Sequence, residues 1–129
     1  MNTNAEAVRQ FYAALNRNDL PAMVAQMDPD IVRVEFEGLP AAGTYRGIAG
    51  VEAHIAKGRG TWAEGTCEPE QIFERGDKVV AYVHVRVRLQ EPAQWVEGRL
   101  ADGFVFRAGR MIEFRTFPQR AEADAWAGS

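Results

Sequence analysis

Cysteine and histidine are almost absent from this chain: Cys67 stands alone, and His54 and His84 are the two imidazoles. A single thiol closes no internal disulfide, and three such ligands scattered along the sequence lack the clustered spacing of a zinc site, so no metal is expected. Cys67 reads as a small packing residue, since free cysteines are commonly buried. Lysine is scarce as well, two against thirteen arginines, and the formal charge is -3 with no basic run that could neutralise a row of phosphates. Nucleic acid is therefore not an expected partner. A membrane span needs an apolar run on the order of 18 residues, and none occurs. Met1 to Glu6 are polar and carry no signal-like stretch, so a cytoplasmic protein with no membrane partner is expected.

What is present is enough apolar residue, 47% of 129, for one contiguous core, which predicts a single domain over residues 1–129. Thr3 with Glu6 forms a possible capping box, and Val8, Phe11, Tyr12 and Leu15 follow at helical spacing, predicting a helix over 4–16. Asp19 can cap a second helix that tolerates Pro21 in its first turn and carries Leu20, Met23, Val24 and Met27 as its apolar stripe. Ile31 to Glu37 alternate as a strand, and a loop with Gly38, Pro40 and Gly43 follows. Tyr45-Arg46-Gly47 then leads into a third helix with Ile48, Val51 and Ile55, which Gly58 and Gly60 stop.

From Thr61 onward the period is two, and strands are expected over 62–75, 78–90, 95–107 and 111–117, with compact turns at Gly76-Asp77 and Ala108-Gly109. Pro69 cannot donate to a ladder and should mark an edge or a bulge. Helices grouped ahead of consecutive hairpins predict an α+β fold with the helices on one face of an antiparallel sheet. The tail from Gln119 either forms a short helix through Ala121, Ala125 and Trp126 or frays.

In the strand over 78–90, Val79, Ala81, Val83, Val85, Val87 and Leu89 form an apolar row that should face the helices. Leu100, Phe104 and Phe106 share a face with Asp102 in the next strand, and Ile112, Phe114 and Thr116 share one in the last. Tyr82, His84, Arg86, Arg88, Glu97, Arg99, Glu113 and Arg115 are left on the outer face, which is either solvated or the contact of a homodimer. Asp102 thus sits on an apolar row. An unpartnered carboxyl there has its pKa raised and can stay neutral, able to donate a hydrogen bond to a carbonyl or enolate oxygen. The alternative is an aspartate satisfied by an arginine, a hydroxyl or a water. A hairpin symmetric about Pro92 sets Asp102 opposite Tyr82, and a shift of one residue sets it opposite Val83.

The run Val8-Arg9-Gln10-Phe11-Tyr12-Ala13-Ala14-Leu15-Asn16-Arg17-Asn18-Asp19-Leu20, the Asp28-Pro29-Asp30 step, Tyr45-Arg46-Gly47 and the closing Phe104 to Ile112 hairpin together resemble the nuclear transport factor 2-like superfamily, in particular its SnoaL-like branch. The resemblance covers nearly the whole chain. It implies a cone-shaped barrel: a strongly bent antiparallel sheet with three N-terminal helices in its concave face, enclosing a pocket for a small hydrophobic molecule.

Likeness to ketosteroid isomerase implies that the acidic donor falls on Asp102 and the general base on Glu35, while the tyrosine donor falls on Phe11, with Tyr12 one position late. Periodicity groups Glu35 with Ile31, Arg33 and Glu37, a polar row that the resemblance turns inward; otherwise Arg33 and Glu35 are a solvated strand face. Inside, Arg33 would hold Glu35 ionised. Against limonene epoxide hydrolase, Thr116 stands where an acid is needed, which argues against epoxide opening. His54 either reaches the pocket or packs at its edge. The ligand-binding set expected on these grounds is Phe11, Tyr12, Leu15, Arg33, His54, Val83, Val85, Phe104, Phe114 and Thr116. The expected activity is acid-base isomerisation, cyclisation or dehydration of a carbonyl compound without a cofactor; the alternative is a non-catalytic binding or dimerisation module.

Overall fold

The computed structural model describes residues 3–39 and 41–129, so Pro40 of the expected loop and the first two residues lie outside it. In chain order the elements are α1 (Asn4–Asn16), α2 (Leu20–Val24), β1 (Met27–Glu35), β2 (Gly43–Arg46), α3 (Gly47–Arg59), β3 (Trp62–Arg75), β4 (Lys78–Leu89), β5 (Trp95–Arg107), β6 (Arg110–Phe117) and α4 (Arg120–Ala127). Thr3 caps α1 by accepting from the Glu6 N–H at 3.1 Å, and Asp19 caps α2 by accepting from Ala22 N–H at 3.1 Å. Each side chain satisfies a donor that the first helical turn leaves free.

The six strands form one sheet in the order β2-β1-β6-β5-β4-β3. The fold is α+β as expected, but the sheet is mixed. Hairpins make β3 to β6 antiparallel, whereas β1 lies parallel to β6, with Arg33 beside Phe114. Periodicity within strands carries no information about this long-range pairing. Strand β2, expected as loop, pairs antiparallel with β1 and sets Tyr45 beside Arg33. Four residues with a glycine are too few to show a period.

Helices α1 and α3 span the inner face from edge to edge, α1 on β3 and β4 and α3 on β1 and β2. Their Val8, Phe11, Tyr12, Val51 and Ile55 join Val79, Ala81, Val83, Phe104, Phe106 and Phe114 in one buried cluster. Strand β3 is an edge strand, and its register shifts just after Pro69. Its edge is partly closed by Asn16 at the end of α1. The Asn16 amide donates to Cys67 O at 3.0 Å and accepts from Cys67 N at 2.8 Å, acting as a one-residue strand.

Four local expectations change. Met27, expected on the stripe of the second helix, opens β1 instead, because α2 ends at Val24 and the strand runs Met27–Glu35 rather than over 31–37. Asp102 lies opposite Ala81, in register with the apolar row, rather than opposite Tyr82 or Val83. In the last hairpin Val105 pairs with Glu113 but Phe106 pairs with Met111, so Ile112 is an extra residue on β6. The bulge turns Met111 into the core where Ile112 was expected. The tail does form a helix, but it buries Ala123 and Ala127 and packs Trp126, while Ala121 and Ala125 are exposed. It covers Val80, Ala101 and Tyr82 on the outer face, so that face is not wholly free.

Gly103 is where α4 meets the sheet: a Cβ there would come within 2.5 Å of the Trp126 indole and 3.0 Å of the Phe117 ring. Gly103→Ala should destabilise the protein by about 1–3 kcal/mol through overpacking, with the Trp126 indole pushed toward solvent. Gly98→Ala, with nothing within 4 Å of the new Cβ, is the control. Urea unfolding followed by tryptophan fluorescence checks the pair, and equal midpoints would refute the wedge.

Candidate functional site

Strand pairing assembles the site before any side chain is considered. Asp102 on β5 lies beside Thr116 on β6, and Arg33 on β1 lies beside Phe114, two residues earlier on β6. Helix α1 crosses above them and brings in Tyr12. Thr116 Oγ1 donates to Asp102 Oδ1 at 2.6 Å and accepts from Arg33 Nη2 at 2.8 Å, while the Tyr12 hydroxyl hydrogen-bonds Asp102 Oδ2. Arg33 also donates through Nη1 to the carbonyls of Val34 at 2.8 Å and Phe114 at 3.3 Å, and its guanidinium lies 3.9 Å over the Phe114 ring. All four residues are buried.

The chain from Tyr12 through Asp102 and Thr116 to Arg33 continues to Glu35, whose Oε1 is 3.2 Å from Arg33 Nη2. Glu35 Oε2 contacts His54 Nε2. The imidazole stacks on Tyr45 with centroids 3.8 Å apart and planes 16° apart, and Tyr45 OH donates to Ala41 O at 2.9 Å. The polar row of β1 therefore does face inward.

Burial sets the electrostatics here. It raises the Asp102 carboxyl above its ordinary value, because desolvation outweighs the opposing pull of Arg33, Thr116 and Tyr12. Burial together with the neighbouring Asp102 raises the Tyr12 phenol well above its ordinary range, so it stays a hydroxyl. Desolvation lowers Arg33 from its usual value, yet a guanidinium remains the charged member of such a group. Burial also pushes the Cys67 thiol up, which leaves it an inert packing group.

A chamber of about 230 Å³ is lined by Tyr12, Leu15, Arg33, Glu35, Val83, Val85, Asp102, Phe114 and Thr116, together with Leu39, Trp62, Cys67 and Leu100. It shares Leu15, Arg33, Glu35, Leu39 and Trp62 with an outer cleft of about 1090 Å³, onto which Phe11 and His54 face. Of the expected pocket residues, Phe104 alone borders neither space. It is fully buried, stacked on Phe114 at 4.7 Å and edge-on to Phe11 and Tyr12. Its alternation placed it on the right face, but its depth depends on the rings packed over it. Tyr12, and not Phe11, supplies the helix hydroxyl that meets the acid. Leu39, Trp62, Leu100 and Tyr45 were not among the expected pocket residues, although alternation had put Leu100 on the face of Asp102; Trp62 opens a strand and Leu39 sits in a loop, where no period marks a face.

A SnoaL-like domain matches residues 8–114. The chain belongs to this family. Two crystal structures of nuclear transport factor 2-like proteins resemble the SnoaL-like chain over its full length. One, from Burkholderia pseudomallei and of unknown function, has 26% identity and a TM-score of 0.82, with 100% of each chain covered. The other, from Burkholderia thailandensis, has 28% identity and a TM-score of 0.82, covering 100% of this chain and 99% of that one. TerC co-crystallised with polyporic acid shares the fold at 22% identity, with a TM-score of 0.79 and 98% of each chain covered. No curated protein matches the SnoaL-like chain. Among the described residues, no helix is long and apolar enough to cross a membrane.

Because Asp102 is raised in the folded protein, its folding contribution is fully present below the ordinary aspartate value of 3.8 and is lost as pH rises through the folded value. Asp102→Asn removes that loss while its amide can still hydrogen-bond both Thr116 and Tyr12. The stability difference, variant minus wild type, should therefore grow from acid toward neutral pH, by about 1.4 kcal/mol for each unit of elevation. Urea melts across that range check it, and a flat difference would contradict a raised Asp102.

Proposed function

We propose that the chamber takes a small hydrophobic carbonyl compound and moves a proton on it, as an isomerase, cyclase or dehydratase with Glu35 as base. The observation that carries this reading is the Tyr12–Asp102 pair, buried in an apolar chamber that Glu35 also borders. The Tyr12 hydroxyl donates to Asp102, whose carboxyl burial shifts toward its neutral form; a protonated Asp102 donating back to the Tyr12 oxygen would free the phenolic hydrogen to turn toward a ligand oxygen. Charge developing on that oxygen is stabilised by a donor held in place. Glu35, paired with Arg33, supplies the carboxylate that accepts the proton from carbon. No step in this scheme requires a redox cofactor. Leu15, Val83, Val85 and Phe114 provide the apolar walls of the chamber, and Phe11 those of the outer cleft.

Two probes test the two ends of the site. With a nitrobenzisoxazole, Glu35 would take the ring C–H proton, the C–H electron pair would become part of the nitrile, and the N–O bond would break to leave a phenolate. Glu35→Gln should lower this rate at least about tenfold, the scale of a single general base. Nitrophenolate binding, read by its visible absorbance, should weaken about tenfold in Tyr12→Phe, equivalent to about 1.4 kcal/mol. Rates and affinities equal to wild type in these variants would sink the assignment. Tight binding with no turnover in the wild type would instead assign the alternative role, a binding module on the same fold.

The outer sheet face is the proposed contact of a homodimer. Trp95 is 46% exposed there and lies under Arg86 at 4.1 Å, beside the His84–Glu97 and Arg99–Glu70 pairs. Tryptophan and arginine are the residues favoured in such contacts. Sedimentation should give a dimer for wild type and a monomer for Arg86→Glu, and a monomeric wild type would refute the interface.

A further inference from the structure

The Glu35 carboxylate is held from two sides, by Arg33 at Oε1 and by His54 at Oε2. The second grip is itself braced. The His54 ring lies flat against Tyr45, and Tyr45 is anchored through its hydroxyl to the Ala41 carbonyl. Both members of the pair are largely buried, His54 with 12% and Glu35 with 15% of its side chain exposed. Glu35 borders the chamber and the outer cleft, whereas His54 borders the cleft alone. The imidazole therefore stands behind the carboxylate as seen from a ligand in the chamber.

We propose that His54 is a positioning residue for Glu35, fixing the carboxylate toward the chamber and weakening it as a base when the imidazole takes up a proton. This rests on the reading of Glu35 as the base. A neutral imidazole with its hydrogen on Nε2 donates to Oε2 and leaves the carboxylate paired with one full cation, Arg33. A protonated imidazole keeps the same hydrogen bond but adds a second full cation, and a carboxylate between two cations is a weaker proton acceptor. Tyr45 on β2 is stacked on the ring, and the other charged groups bordering the same cleft are Arg33 on β1, Lys57 and Arg59 on α3, and Glu91 of the β4–β5 hairpin. Among the described residues, Glu35 is the one hydrogen-bonded to the His54 side chain. Arg59 is engaged with the Leu15 and Asn16 carbonyls at 2.8 and 3.1 Å.

The test follows the Glu35 carboxyl carbon by NMR across pH, together with the nitrobenzisoxazole rate. Wild type should show two steps in the carbon shift, one of them tracking the His54 ring. His54→Gln keeps an N–H donor but cannot gain a proton, so one step should remain, and the rate at high pH should stay within about threefold, as for one conserved hydrogen bond. The fall in rate that accompanies protonation of the His54 ring should disappear in that variant. His54→Leu, with no donor, should lose about tenfold or more at every pH, since a base out of position loses most of its contribution. Identical carbon titrations in wild type and His54→Gln overturn the proposal, as does a His54→Leu rate equal to wild type. An unchanged rate in Glu35→Gln overturns the base assignment itself, and the carbon titration, which needs no turnover, still decides whether His54 controls the Glu35 charge.

Discussion

A carboxyl buried in the middle of a sheet dictates much of what surrounds it. Asp102 cannot sit on an apolar face without partners, since an isolated buried charge costs several kcal/mol, and three elements supply them. Tyr12 comes from the first helix, Thr116 from the last strand, and Arg33 reaches Thr116 from the strand that runs parallel to it. These bonds join residues 14 to 90 positions apart in sequence, so they form only when the helix layer, the hairpins and the parallel pair are all in place. The same bonds line the chamber with polar atoms at one end and leave the walls apolar.

Arg33 links the two acids. Its Nη2 serves both Thr116, and through it Asp102, and Glu35, so one guanidinium balances a carboxylate at the cleft while the more deeply buried acid is raised by desolvation. Two carboxyls in different surroundings on one cavity is the arrangement that separates a proton donor from a proton acceptor. Phe114 fixes the arginine from below and stacks on Phe104, so the aromatic core positions the charge as well as filling space. On the far side of the sheet, α4 covers the strands that carry Asp102, with Trp126 against Gly103.

Much of the fold was legible because periodicity is local. The capping residues Thr3 and Asp19, the helical stripes and the four long strands of the second half follow from residues a few positions apart. Asp102 stood out for the same reason, as a polar break in an apolar row. Glu35 was read against its own pattern: alternation grouped it with the polar row of β1, and only the resemblance turned that row inward. His54 was open between reaching the pocket and packing at its edge, and nothing in its helix announced Glu35 or Tyr45 as partners, because they come from two other strands.

The sequence by itself determined the three N-terminal helices and the four long strands of the second half, which face of each long strand is apolar, and that an aspartate would interrupt one of those faces. Tertiary structure decided the register that sets Asp102 opposite Ala81 and beside Thr116, the bulge that exchanges Ile112 for Met111, and the parallel pairing that delivers Arg33 and Glu35 to the chamber. Those are matters of long-range pairing and packing, where the free energy depends on which strands meet, and no local pattern encodes that choice. Tyr12 shows the division most clearly: its helical position was evident, but the carboxyl it bonds lies 90 residues away.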